Sequence, residues 1–186
     1  MPQTKAQRAL FALLTVLITV HAYVFYSLYV VNGNALMTAN QAYSVLEAIA
    51  RQGGVMLCGR MVPIWAVVLT EFILAYALEL TVGSPLSFRL ASRCFDPRTT
   101  HPVLFETAII SATVGIMCPA MSFIAAFLYF NYQGGFNLFT LLAEWLKLVC
   151  FNFPFAYFTQ LFFIQPLVRA IFKAIFSRKE KTAEAV

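Results

Sequence analysis

Four long stretches of this chain are almost free of charge, and that fact constrains its fold more than any other. A hydrocarbon core takes about 20 mostly apolar residues to cross as a helix. Such runs fall at about residues 9–31, 61–83, 108–130 and 145–168. Helix is the forced choice, because an open strand edge in lipid leaves backbone groups unpaired. The rest of the composition agrees: 61% of residues are hydrophobic and 11% charged, against about 45–50% and about 25% in soluble domains. A chain of 186 residues cannot hide that excess in one globular core. The expected fold is an all-α integral membrane protein of four transmembrane helices.

The net charge of +5 serves orientation rather than nucleic-acid binding, because the basic residues lie between and beyond the apolar runs. Lys5 and Arg8 precede the first run, Arg89, Arg93 and Arg98 fill the middle loop, and Arg169, Lys173, Arg178, Lys179 and Lys181 follow the last. The two other loops hold Arg51 and Arg60, with Lys147 just inside the fourth span. Basic loops stay inside, so both termini are expected in the cytoplasm. Anionic headgroups attract each nearby basic residue by about 1 kcal/mol, which explains the basic loop and tail without a nucleic-acid partner. Tyr26, Tyr29, Trp65, Tyr129, Tyr132 and Trp145 cluster near the outer ends as an aromatic belt would. Lys5, Arg8 and Val20-His21-Ala22 imitate a cleavable signal peptide. Hydrophobicity unbroken through Val31 favours a retained span instead.

The second and fourth spans match at an offset of 81 residues. Glu71-Phe72 answers to Asn152-Phe153, Ala75-Tyr76 to Ala156-Tyr157, Glu79 to Gln160, and Pro85-Leu86 to Pro166-Leu167. The prolines are expected to stop both helices. This spacing divides the chain into two tandem helical hairpins, 1–98 and 99–186, related by a pseudo-two-fold axis along the membrane normal.

The second half, with Asn152, Pro154, Pro166-Leu167 and Arg169 closing the final span, resembles a small bacterial membrane family known only as a domain of unknown function (number 2798). The first half looks like a divergent copy, with Glu71 in place of Asn152 and Phe88 in place of Arg169. The resemblance implies a bacterial inner-membrane location, and it carries over no catalytic or binding residues.

The loop from Asn32 to Arg60 spaces Leu36, Ala39, Tyr43, Leu46 and Ile49 like one amphipathic helix over about 35–51, ended by Gly53-Gly54. It is expected to lie on the interface, with a lid over an entrance as the alternative. Phe136, Leu138 and Phe139 of the last outer loop should dip into the same interface.

Ionisable residues within spans default to a functional hypothesis, since burying a charge mid-bilayer costs about 2.5–3.5 kcal/mol on insertion scales. His21, Glu71 and Glu79 qualify. His21 and Glu71 are expected near the midplane of antiparallel helices, where a hydrogen-bonded pair is geometrically allowed. Glu79 is expected about 12 Å nearer the cytoplasm, and Asn152 and Gln160 occupy the same two depths of the other hairpin. Together these residues form a candidate path for protons or a small polar solute. The competing expectation is an interhelical hydrogen bond that fixes packing, at about 0.6 kcal/mol on average, with Glu79 snorkelling to the interface. Pro119 and Pro154 are expected to kink the third and fourth spans.

No nucleophile elbow, metalloprotease helix or phosphate loop occurs in the sequence, so no enzyme is expected. The four cysteines have no metal or redox spacing, and a b-type haem would need a second intramembrane histidine beside His21. No cofactor is expected. Four helices are expected to enclose little space, so a transport role would call for a homodimer. The expected function is a small proton- or cation-responsive transporter subunit. The alternative is a non-catalytic subunit that stabilises a partner membrane protein.

Overall fold

The computed structural model describes residues 4–183, with 133 and 177–183 described by their backbone alone. Arg178, Lys179 and Lys181 of the basic tail therefore lie outside the described side chains. Among the described residues, four helices are long and apolar enough to cross a membrane: Lys5–Val31, Ile64–Cys94, Pro102–Leu128 and Leu138–Phe176.

The first is α1 (Lys5–Phe25), which runs into a π turn at Tyr26–Val31. Its start is set by a capping box, in which the Thr4 hydroxyl accepts the Gln7 N–H and the Gln7 side chain accepts the Thr4 N–H. The outer loop holds α2 (Gly33–Asn40) and α3 (Val45–Gln52), then a hairpin of β1 (Val55–Leu57) and β2 (Arg60–Val62). The second spanning helix is α4 (Ile64–Leu78) continued by α5 (Ser84–Cys94). Helix α6 (Pro102–Leu128) is the third, and α7 (Leu138–Thr159) continued by α8 (Gln165–Ala183) is the fourth.

Pro85 and Pro166 do not stop their helices. In both, a five-residue π turn precedes the proline, Glu79–Gly83 in one and Gln160–Ile164 in the other. A proline in an α-helix lacks one donor, and its ring collides with the carbonyl four residues back. Here the N–H of the residue before each proline reaches back five residues, Ser84 to the Glu79 carbonyl and Gln165 to the Gln160 carbonyl. The wider turn relieves the collision, and the helix runs on. Turns of this kind gather at functional sites.

The two composite helices share more than their turns. Ala75 and Ala156 are both buried, and small residues of this kind let membrane helices approach closely. The rings of Phe72 and Tyr76 stack at 6.0 Å and 3°, and those of Phe153 and Tyr157 at 6.4 Å and 10°. The Tyr76 hydroxyl reaches the Ala9 carbonyl on α1, and the Tyr157 hydroxyl reaches the Ser111 hydroxyl on α6. Each tyrosine thus ties its helix to the preceding helix of its own hairpin.

Three apolar clusters hold the bundle. Val16, Val20 and Ala75 join α1 to α4, with Met121 of α6 against them. Ile110, Val114, Cys118 and Ala156 join α6 to α7, with Tyr23 of α1 against them. Ala126, Phe130 and Leu141 close the end of the α6–α7 pair beside the outer loops. Much of the remaining apolar surface faces outward, including Phe151, Phe158, Phe162 and Phe163 on the fourth helix. That is the arrangement of a bundle whose solvent is lipid. Phe136, Leu138 and Phe139 are likewise exposed.

Where one amphipathic helix was expected, two short ones form, because Gln41 ends α2 in the left-handed region at φ 50°. Ser44 then caps α3 by accepting the Glu47 N–H, and Gly53 ends it at φ 82°. The Glu47 carboxylate accepts the Tyr43 N–H at 2.9 Å and pairs with Arg51, which together hold its pKa below the usual carboxylate range. The β-hairpin turns on Cys58 and Gly59, both at positive φ, as a two-residue type I′ turn requires. The Cys58 N–H donates to the Leu128 carbonyl at 2.7 Å. This bond satisfies one of the open carbonyls at the end of α6 and ties the loop to the bundle.

Several belt aromatics turn inward. The Trp145 Nε1–H donates to the Pro119 carbonyl at 2.9 Å, and the Tyr26 hydroxyl donates to the Phe151 carbonyl at 3.2 Å. Trp65 does stand outward, at 69% exposure. Pro119 and Pro154 both sit inside continuous helix.

Candidate functional site

The four helices surround a cavity of about 2370 Å³. The four helices of one chain therefore border more space than the sequence led us to expect. The cavity reaches from Arg8, Arg89 and Arg169, at the end of the bundle nearest the chain termini, to Asn131 and Asn137 at the opposite end. Ala35, Leu36, Gln52 and Gly54 of the outer loop also line it, so this loop roofs the second end. Tyr43 and Leu46 on the same loop point away, at 96% and 66% exposure. The loop thus has one set of residues against the cavity and another turned away from it.

Of the five residues expected to mark a path, four line the cavity: Glu71, Glu79, Asn152 and Gln160. His21 does not. Its ring is exposed, and Nδ1 lies 2.7 Å from the Leu17 carbonyl of its own helix. An oxygen acceptor at that distance makes Nδ1 the protonated nitrogen. The expected His21–Glu71 pair is absent because one step along α1 turns the chain about 100°, from buried Val20 to outward His21.

Glu71 pairs with Tyr129 instead. The tyrosine hydroxyl, just past the last turn of α6, donates to Oε1 at 2.5 Å. Glu71 is seven residues into α4, about 10 Å from its start. It therefore sits nearer the roofed end than the middle of a helix that continues to Cys94. The residue near the middle of that composite helix is Glu79.

Glu79 opens the π turn and folds back along it. Its Oε1 accepts the Ser84 hydroxyl at 2.7 Å. Its Oε2 occupies the space beside Gly83, where a Cβ would come within 2.5 Å of it. The Met117 sulfur closes the same space from α6. Glu79 is only partly exposed and does not stretch toward an interface. On the opposite wall, Gln160 opens the matching π turn, and its Nε2 donates to the Thr19 hydroxyl of α1 at 2.8 Å. The Asn152 side-chain amide donates to the Ser122 hydroxyl at 3.3 Å, while the Asn152 backbone carbonyl accepts the Tyr23 hydroxyl at 3.4 Å. The carbonyls accepting Tyr23 and Tyr26 lie just before Pro154, where a proline loosens the helical ladder.

The result is a cavity wall with a carboxylate at each of two levels, each held by one hydroxyl, and hydroxyl–amide contacts across from them. Carboxylates beside hydroxyls and amides can relay protons or replace part of the water shell of a small cation. A further pair was not anticipated: Arg169 of α8 donates to the Glu106 carboxylate of α6. In the sequence Glu106 reads as an edge charge, four residues after Pro102, and Arg169 as part of a solvated basic tail. Thr19, Ser122 and Ser84 also went unnoticed, because hydroxyl residues are common in membrane helices and carry little signal alone.

No curated protein and no solved structure matches the chain. Residues 104–176, from α6 into α8, match the family model described as "Domain of unknown function (DUF2798)".

Proposed function

We propose that the chain is a small multi-pass transporter subunit whose solute path is the central cavity. Glu71 and Glu79 are its proton- or cation-responsive sites, with Asn152 and Gln160 along the route. The observation that carries this reading is convergence: polar side chains of α4 and α7 at matched positions all face one cavity, and that cavity runs between the two ends of the bundle. A pair of tandem hairpins related by a pseudo-two-fold axis fits this reading. It is supported by the two π turns, the two buried alanines and the two stacked Phe–Tyr pairs, each at the same offset of 81. The exposed phenylalanines are accounted for by lipid and leave the partner-subunit reading without an observation of its own.

Purified protein in sealed vesicles should show flux that depends on the pH difference across the membrane. Glu79→Gln should lower it at least tenfold, about 1.4 kcal/mol in barrier terms, and Glu71→Gln should lower it less. An inactive parent, or a Glu79→Gln protein with full flux, would end the proposal.

The same reading places the chain in a bacterial inner membrane with both termini in the cytoplasm, supported by Lys5, Arg8, Arg89, Arg93 and Arg98 at one end of the bundle. Cysteine accessibility tests this directly. Cys58 and Cys94 are both exposed and stand at opposite ends, whereas Cys118 is buried. An impermeant maleimide added to intact cells stripped of their outer membrane should label Cys58 and spare Cys94 until the inner membrane is opened. The reverse order would invert the topology.

A further inference from the structure

The cavity extends well beyond the two levels at which Glu71 and Glu79 stand, and its end nearest the chain termini has a different character. Three arginines from three helices line that end: Arg8 of α1, Arg89 of α5 and Arg169 of α8. Ring contacts bring their helices together there. Phe11, one turn after Arg8, meets Phe172 of α8 edge-on at 5.7 Å. Phe88, next to Arg89, meets Phe105 at 6.0 Å, and Phe105 adjoins the Glu106 that pairs with Arg169. Phe11, Phe88 and Phe172 themselves line the cavity directly beside these charges. Cationic groups at a mouth, with aromatic and aliphatic walls immediately inside, complement a molecule with an anionic head and an apolar body. A small inorganic anion would leave those walls facing nothing. The volume of about 2370 Å³ exceeds the roughly 300–1,000 Å³ of pockets for drug-sized ligands, which suits an elongated occupant.

We propose that this mouth binds one anionic amphiphile, its phosphate or carboxylate head on Arg8 and Arg89 and its alkyl chain along the cavity wall. Glu106 tempers the site by engaging Arg169, so that two arginines face the head while the third is held. The proposal takes as its site the cavity of the transport reading and names a class of solute for it. Its test reads binding rather than flux, so the two can fail separately.

The probe is dodecyl phosphate, titrated calorimetrically into the purified full-length protein held in dodecyl maltoside, a neutral amphiphile of the same chain length. The expected result is saturable binding of one molecule per chain, with inorganic phosphate at the same concentrations failing to compete. Each basic residue near an anionic head contributes a factor of about five. The double variant Arg8→Gln, Arg89→Gln should therefore weaken binding at least tenfold. Glu106→Gln releases Arg169 and should tighten binding about fivefold, a gain that a misfolded protein cannot produce. Repeating the titration in nanodiscs identifies the source of the natural occupant. Loss of binding in phosphatidylglycerol but not in phosphatidylcholine means that a bilayer lipid fills the site, and binding kept in both means a free amphiphile. Equal affinity of parent and double variant, competition by inorganic phosphate, or weaker binding by Glu106→Gln would each overturn the proposal.

Discussion

Gly83→Ala should leave the bundle folded and cut pH-dependent flux at least tenfold. Glycine is not needed here for its backbone, since Gly83 sits at φ −56° and ψ −66°, ordinary right-handed helix. On propensity alone, alanine at such a position is worth about 0.5–1 kcal/mol of added stability. What glycine supplies is room. A Cβ would stand 2.5 Å from Glu79 Oε2 and 2.9 Å from the Met117 sulfur, both far inside contact distance. Both obstacles are the free ends of flexible side chains, so they yield by rotation and the backbone need not move. The consequence is a displaced carboxylate that has lost the Ser84 hydroxyl, with little net change in unfolding temperature. Ser84→Ala separates the two parts, because it removes the hydroxyl without adding bulk and should cost less flux than Gly83→Ala. Full flux in Gly83→Ala, with the protein intact by gel filtration, would show that the position of Glu79 is irrelevant to transport.

What could be read in advance, and what could not, follows from the solvent. Lipid forces every apolar run of sufficient length into a helix, so the four spans were legible from hydropathy alone. The rotation of each helix was not. A soluble helix announces its inner face by an apolar stripe, but a helix in lipid can be apolar inside and out, so the polar ring of His21 was no guide to the inner face of α1, where Val20 is the buried neighbour. The spans were legible and azimuth was not: the expected His21–Glu71 pair failed on azimuth, and Glu71 also stands nearer the roofed end than the midplane expected for it. The same blindness set Tyr129 and Trp145 in an interfacial belt, when both donate hydrogen bonds into the bundle.

The prolines misled for a different reason. The rule that proline ends a helix concerns α geometry, and the π turns before Pro85 and Pro166 change that geometry locally. Their signal was nevertheless present in the repeat: a polar residue six positions before each proline, Glu79 and Gln160, whose carbonyl accepts the bond that closes the turn. The outer loop was misread at Gln41, and the hairpin turn at Cys58-Gly59 went unnoticed; all three residues have positive φ. Neither resembles the Asn-Gly or Asp-Gly pairs that usually mark such turns. Within the cavity, Glu71, Glu79, Asn152 and Gln160 could be listed beforehand because a charge or amide is conspicuous among apolar residues. Their partners could not, since Tyr129, Ser84, Ser122 and Thr19 become meaningful only once the helices are placed.

Tyr129→Phe should destabilise the protein by about 1.5 kcal/mol, more than the loss of a hydroxyl that donates to a neutral acceptor. Interhelical hydrogen bonds in membranes average about 0.6 kcal/mol, but those to charged groups are worth about 1.5–3 kcal/mol. The Glu71–Tyr129 contact at 2.5 Å joins a carboxylate of α4 to the end of α6. Tyr129 is 37% exposed, which places the expectation at the lower limit of the charged range. The effect is amplified by position, since the neighbouring Leu128 carbonyl holds the Cys58 N–H and with it the outer hairpin. Tyr132→Phe is the control: that hydroxyl donates to the Phe127 backbone carbonyl at 2.8 Å, a neutral acceptor, and its loss should cost no more than the average. A cycle of Tyr129→Phe and Glu71→Gln, followed by denaturant unfolding in detergent, should give a coupling of about 1 kcal/mol or more. Additive losses would mean that the pair exerts no joint hold on the two helices, and that Glu71 is kept in the cavity by something other than Tyr129.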